Sequence, residues 1–161
     1  WSSDVCSSDL HNIYGPAMGF EHVIPQIVGK IFRASRALQQ KAAQITIQGT
    51  GEETRAFCYI EDAVRGILIA AEKGQNEHVY HVGSEQETPI SELVESIAGI
   101  LGVKLTIAAG ELQQGSTPRR CPDISKLKAL GYRPTVSLQE GLRRTVNWYR
   151  RYYTRKEISP A

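Results

Sequence analysis

Three short stretches of this sequence set nitrogen donors among turn-forming residues: HNIYGP at 11–16, TRAFCYIED at 54–62 and RRCPD at 119–123. Asn12 offers an amide donor and an acceptor on a short stem, and Gly15 and Pro16 fix a turn that would hold it in place. Arg55, Arg119 and Arg120 carry planar guanidiniums, which donate paired hydrogen bonds to a phosphate as a lysine cannot. A lone surface arginine is ordinarily solvated. HNIYGP alone is an ordinary strand-to-loop turn. None of the three stretches is a site by itself, and Asp62 and Asp123 read as helix caps rather than ligand contacts.

Other chemistries are excluded by what surrounds these groups. Of the three cysteines, Cys58 and Cys121 have no CxxC partner and no clustered histidine. No metal centre or disulfide framework is expected, and a reducing cytoplasm suits them. The formal charge of +2 is too small to imply nucleic acid. No apolar run approaches the ~18 residues of a membrane span. The last helix interleaves arginines with Trp148, Tyr149, Tyr152 and Tyr153; it reads as aromatics packed on the domain with arginines in water, so neither nucleic acid nor membrane is an expected partner.

The elements that must position these groups follow from periodicity. Ile24, Ile27, Val28 and Ile31 recur on one helix face, and ITIQG is a β-branched strand ending at the turn signal GTGEE. TRAFCYI is a second extended stretch. Asp62 would cap a helix carrying Val64, Ile67, Leu68 and Ala71 that stops at Gly74. HVYHVGS, nearly continuous in apolar character, suits a strand of a sheet covered on both faces, and its partner strands are expected outside the chain. Pro89 opens a helix with Ile90, Leu93, Val94, Ile97 and Leu101, stopped by Gly102. KLTIAA is a further strand. Asp123 can cap a short helix running to Gly131, and Ser137 and Glu140 form a capping box for the last one. The alternation says α/β or α+β.

Residues 1–10, WSSDVCSSDL, contain SSD twice and no periodic apolar face, so no helix or strand is expected there. They lack the basic start and apolar stretch of a signal peptide. They match the in-frame translation of a sequencing adapter, TGGAGTTCAGACGTGTGCTCTTCCGATCT. The expectation is that 1–10 is not native and that 11–161 is the protein proper.

The ordered series HNIYGPAMG, ITIQGTGEETRAFCYIEDAVRG, HVGSEQETPI, RRCPDISKLKALGYRP and SLQEGLRRTVNWY resembles the second half of the extended short-chain dehydrogenase/reductases, within them the NAD-dependent sugar-nucleotide epimerases, dehydratases and decarboxylases. The resemblance covers 11–150. It implies an α/β fold: the C-terminal, substrate-binding part of a Rossmann-type enzyme, with most of the Rossmann sheet missing. The family's glycine-rich dinucleotide turn and its catalytic YxxxK pair are read as absent, so no catalytic residue is assigned. The chain is expected to start just past the catalytic centre.

The resemblance further implies that Asn12 bonds the substrate diphosphate, that Arg55 and Arg120 hold it, that Val23 and Gln48 line the substrate site, and that His11 lies beside the nicotinamide. Where relatives stack an aromatic on the nucleobase, Gln48 can only hydrogen-bond a base edge. Arg119 reads as solvated. The implied parent is a cytoplasmic enzyme in which NAD, bound mainly by the missing N-terminal half, transiently oxidises a hydroxyl of a nucleotide-diphosphate sugar. The parent would be a homodimer formed through that half, and this part alone would be inactive. The other reading is a non-catalytic module that uses the same pocket for a nucleotide or a protein.

Overall fold

The computed structural model describes residues 7–112 and 115–158. In chain order the elements are β1 (Ser7–Leu10), β2 (Ile13–Tyr14), α1 (Val23–Ala34), β3 (Ala42–Gln48), β4 (Thr54–Ala56), β5 (Cys58–Tyr59), α2 (Ile60–Lys73), β6 (Val79–Val82), β7 (Glu87–Pro89), α3 (Ile90–Leu101), β8 (Lys104–Gly110), β9 (Arg119–Arg120), α4 (Ser125–Ala129) and α5 (Leu138–Ile158). They belong to two compact units. The first takes the chain up to Tyr14, Thr54–Thr88 and Arg119–Leu138; the second takes Gly15–Glu53, Pro89–Pro118 and Gln139 onward. Helices on small parallel sheets make the class α/β, as expected.

In the first unit β1 lies parallel to β6, with Ser7 opposite Val79 and Leu10 opposite Val82. Two expectations are corrected here. Residues 7–10 do form a strand, and HVYHVGS finds a partner within this chain. The reason is that a β ladder is made by main-chain N–H and C=O groups and does not require an apolar stripe. β2 pairs with β5, Tyr14 opposite Tyr59. TRAFCYI, expected as one extended stretch, is two strands: β4 joins the ribbon ordered β7-β4-β9, and β5 turns away to β2.

The core of this unit collects Cys58, Ala63, Ala70, Tyr80, Val82, Ile124, Leu127 and Tyr132. α2 reaches it through its smallest residues. A Cβ on Gly66 would stand 2.8 Å from Val82 Cγ1 and 3.1 Å from Tyr132 Cε2, so glycine is what lets the helix approach this closely. The expected face is corrected in part: Ala63, Gly66 and Ala70 are buried and Ile67 packs against the core as expected, whereas Val64 and Leu68 are 47% and 63% exposed. Apolar spacing picks out bulky side chains, but close approach selects small ones. Asp62 is not the cap either. The helix starts at Ile60, and the Asp62 carboxylate, 1% exposed, accepts the backbone N–H groups of Thr135 and Val136 at 3.1 and 2.9 Å. It also accepts the Thr135 hydroxyl at 3.1 Å and pairs with Arg65.

In the second unit β3 and β8 pair parallel over their full length, Ala42 opposite Lys104 and Gln48 opposite Gly110. α1 packs on β3, α3 on β8, and the two helices touch. Ile24, Val28, Ile31, Leu93, Val94 and Ile97 are completely buried, which is the pattern that the helical spacing predicts. α3 ends as expected at Gly102, in the left-handed region at φ +70°. α4 starts at Ser125 with Ile124 as its N-cap, so the expected cap at Asp123 is displaced by one residue, although the Asp123 carboxylate still accepts the Ser125 N–H at 2.8 Å.

Candidate functional site

Four of the expected site residues lie in the first unit. Asn12 sits between β1 and β2 with φ +45°, a left-handed conformation that asparagine tolerates better than most residues. Its Nδ2 donates to the Ala56 carbonyl at 3.1 Å, and its own carbonyl accepts the Cys58 N–H at 3.2 Å. Asn12 therefore stitches the HNIYGP turn to the end of β4, one residue from Arg55.

β4 and β9 run parallel with Thr54 opposite Arg119 and Arg55 opposite Arg120. Side chains alternate along a strand, so Arg55 and Arg120 share one face of the ribbon, and Thr54 and Arg119 share the other. Arg55 is half-buried and Arg120 exposed, and Arg55 Nη1 donates to the Thr54 carbonyl at 2.7 Å.

On the opposite face Arg119 is not merely solvated, which corrects the expectation for it. Its Nε donates to both Glu87 carboxylate oxygens at 3.1 and 3.0 Å, and its Nη2 donates at 2.7 Å. Thr54 Oγ1 donates to the same carboxylate at 2.8 Å. Hydrogen bonding by Arg119 first, and by Thr54 second, holds the Glu87 carboxyl below the usual carboxylate range. Glu87 escaped the sequence reading because nothing marked 87–89 as a strand. Only that strand, with its alternation, places Glu87 over Thr54 and against Arg119.

His11 Nε2 and His81 Nδ1 are 2.9 Å apart, and the His11 N–H donates to the Val82 carbonyl at 3.1 Å. The remaining two expected residues belong to the second unit. Val23 is the first residue of α1 and half-buried, and Gln48 is exposed at the end of β3.

A cleft of about 160 Å³ opens between Phe57–Tyr59 and Pro134–Leu138. It is smaller than the several hundred Å³ of ordinary ligand pockets, and Asn12, Arg55 and Arg120 do not line it.

The glycine-bearing GTGEE turn is filled by its own acid: Glu53 accepts the Thr50 and Gly51 N–H groups at 3.2 and 2.9 Å. Amides already facing a carboxylate are not open to a second anion. Among the described residues there is also no cluster of three His, Cys, Asp or Glu that could hold a metal, and no helix long and apolar enough to cross a membrane. One Tyr-x-x-x-Lys spacing does occur, at Tyr152–Lys156, which corrects the reading of YxxxK as absent. Tyr152 is a packing residue, its ring stacked 5.7 Å from that of Trp148 and tilted against that of Phe20 at 5.0 Å. No acid/base pair is assigned there.

Helices packed with small parallel sheets define an α/β protein. The sequence matches the NAD dependent epimerase/dehydratase family over residues 2–83, and the chain belongs to that family. GDP-L-fucose synthase 1 of Arabidopsis thaliana is 32% identical over 91% of this chain and 46% of its own length. The UDP-glucuronic acid 4-epimerase of Bacillus cereus, solved with UDP-glucuronic acid and NAD, superposes with a TM-score of 0.82 at 25% identity, over 93% of this chain and 46% of that one. The dTDP-glucose 4,6-dehydratase DesIV of Streptomyces venezuelae, solved with NAD bound, gives 0.79 at 30% identity, over 94% and 45%. The chain thus spans a little under half the length of these relatives.

Proposed function

We propose that this chain is the nucleotide-sugar-binding part of an NAD-dependent sugar-nucleotide epimerase or dehydratase, and that it grips the substrate diphosphate between Arg55 and Arg120 with Asn12 fixing the turn beside them. The observation that carries the proposal is the β4–β9 register, which makes Arg55 and Arg120 direct partners on one face. Two guanidiniums opposite each other repel. A diphosphate between them relieves that repulsion and accepts charge-assisted bonds from both. Solved relatives that hold UDP-glucuronic acid or UDP-glucose support a nucleotide-diphosphate sugar as the substrate class. The pyrophosphate of NAD is assigned to polypeptide other than the described residues, so the contribution derived for this chain is substrate grip and orientation.

The test is calorimetric titration of the chain with UDP-, dTDP-, GDP- and CDP-linked sugars. Arg55→Ala and Arg120→Ala should each weaken the best binder by about 1.5–3 kcal/mol, the range of a hydrogen bond to a charged group. Arg→Lys should recover only part, since lysine keeps the charge without the planar fork. Unchanged affinity in both alanine variants would remove the reason for placing the substrate here.

A further inference from the structure

The two faces of the β7-β4-β9 ribbon carry different groups. On one face Arg55 and Arg120 stand opposite each other on adjacent strands. β9 is only two residues long, Arg119–Arg120, so few main-chain bonds hold it in that register. On the other face Glu87 extends from β7 over the central strand β4 to Arg119 on β9. It takes the Thr54 hydroxyl on the way. An ion pair that spans from one outer strand to the other ties β9 down in the register that sets Arg120 opposite Arg55.

We infer that Glu87 is a positioning residue for the anion grip: acting through Arg119 and Thr54, it holds the short β9 in the register that sets Arg120 beside Arg55. The inference rests on the diphosphate reading given above and adds to it which residue sets the geometry. Arg119 is then half of a clamp and makes no contact with the ligand, although it neighbours a residue that does. The Glu87 carboxylate is engaged by Arg119 and Thr54, with the Cys121 thiol also beside it, all on the face away from the anion that it helps to bind. The arrangement also couples the two faces. Neutralising Glu87 frees β9, and an anion seated on the arginines replaces part of what the clamp does.

Two measurements on the 161-residue chain test this. The first needs no ligand: amide hydrogen exchange at 119–121 should be at least five-fold faster in Glu87→Ala than in the unaltered chain, and Glu87→Gln should lie between them because it keeps an oxygen acceptor. Exchange at 119–121 that is unchanged in Glu87→Ala overturns the inference. The second is the affinity for whichever of UDP, dTDP, GDP or CDP binds best. Glu87→Ala should lower it about ten-fold in the unaltered background and leave it unchanged in an Arg120→Ala background, since the clamp has then nothing to position. A loss of equal size in both backgrounds marks Glu87 as merely stabilising and overturns the inference. If Arg120→Ala itself leaves affinity unchanged, or none of the four binds, the diphosphate reading fails, and the inference, which rests on it, falls with it.

Discussion

Asp62 offers the most quantitative test of how the first unit holds together. Replacing it by alanine removes the acceptor of two backbone N–H groups, one hydroxyl and one guanidinium at a position only 1% exposed. A hydrogen bond to a charged group contributes about 1.5–3 kcal/mol, and a buried donor left unpaired costs about 1–3 kcal/mol. Thr135 is exposed and Val136 half-buried, so water takes over part of what the carboxylate did. The pairing with Arg65, which is 46% exposed, adds little after solvent screening. The net expected loss is about 3 kcal/mol. At about 1.4 kcal/mol per factor of ten, amides of β6 that exchange through opening of this unit should exchange about a hundred-fold faster in Asp62→Ala. Asp62→Asn should fall between, because its carboxamide keeps one acceptor but turns an N–H₂ toward a backbone donor. An acceleration below about five-fold in Asp62→Ala would show that the carboxylate does not tie the first turn of α2 to the 134–137 segment.

Removal of residues 1–10 should destabilise the first unit, because it leaves the edge of β6 without its main-chain partner; exchanging 7–9 for other β-tolerant residues should restore it, both read by thermal melting. A melting temperature untouched by the deletion would mean that the β1–β6 ladder contributes nothing. Glu140 accepts from Arg143 and Arg144, with Arg143 first among the causes that hold its carboxyl down to about 2. Its folded-state value is depressed, so its stabilising effect is present above the ordinary carboxylate range and is lost as pH falls toward about 2. A carboxyl titration by NMR with a midpoint near 4 would contradict the double clamp, and added salt should weaken it since the group is exposed.

Much of the second unit was legible from spacing alone. Ile24, Ile27, Val28 and Ile31 gave α1, ITIQG gave most of β3, and Gly102 marked the end of α3, because each signal is local and lies within the element that it reports. The first unit was harder, since its determinants are pairings between distant segments. Nothing near Val64 or Leu68 says that Gly66 must pass within reach of Val82 and Tyr132. Asp62 looks like a cap until the loop seventy-three residues later brings Thr135 to it. The candidate site divides in the same way. The arginine types and the HNIYGP turn could be read directly, but the partnership of Arg55 with Arg120 and the Glu87 clamp depend on strand register, which two-residue strands do not announce.

The β1–β6 ladder has a consequence for how resemblance in this region should be weighed. A parallel ladder recognises its new strand by the spacing of amides and carbonyls, which every residue except proline supplies alike, and Leu10 leaves its side chain half outside. Positions 7–10 are therefore structurally demanding and informationally quiet: many tetrapeptides would occupy the slot, and few would leave a signature of having been selected for it. A family match that runs through β1 therefore draws little of its weight from positions 7–10. Ancestry is better judged from residues such as Asn12, whose backbone angle and amide bond together narrow the choice of amino acid.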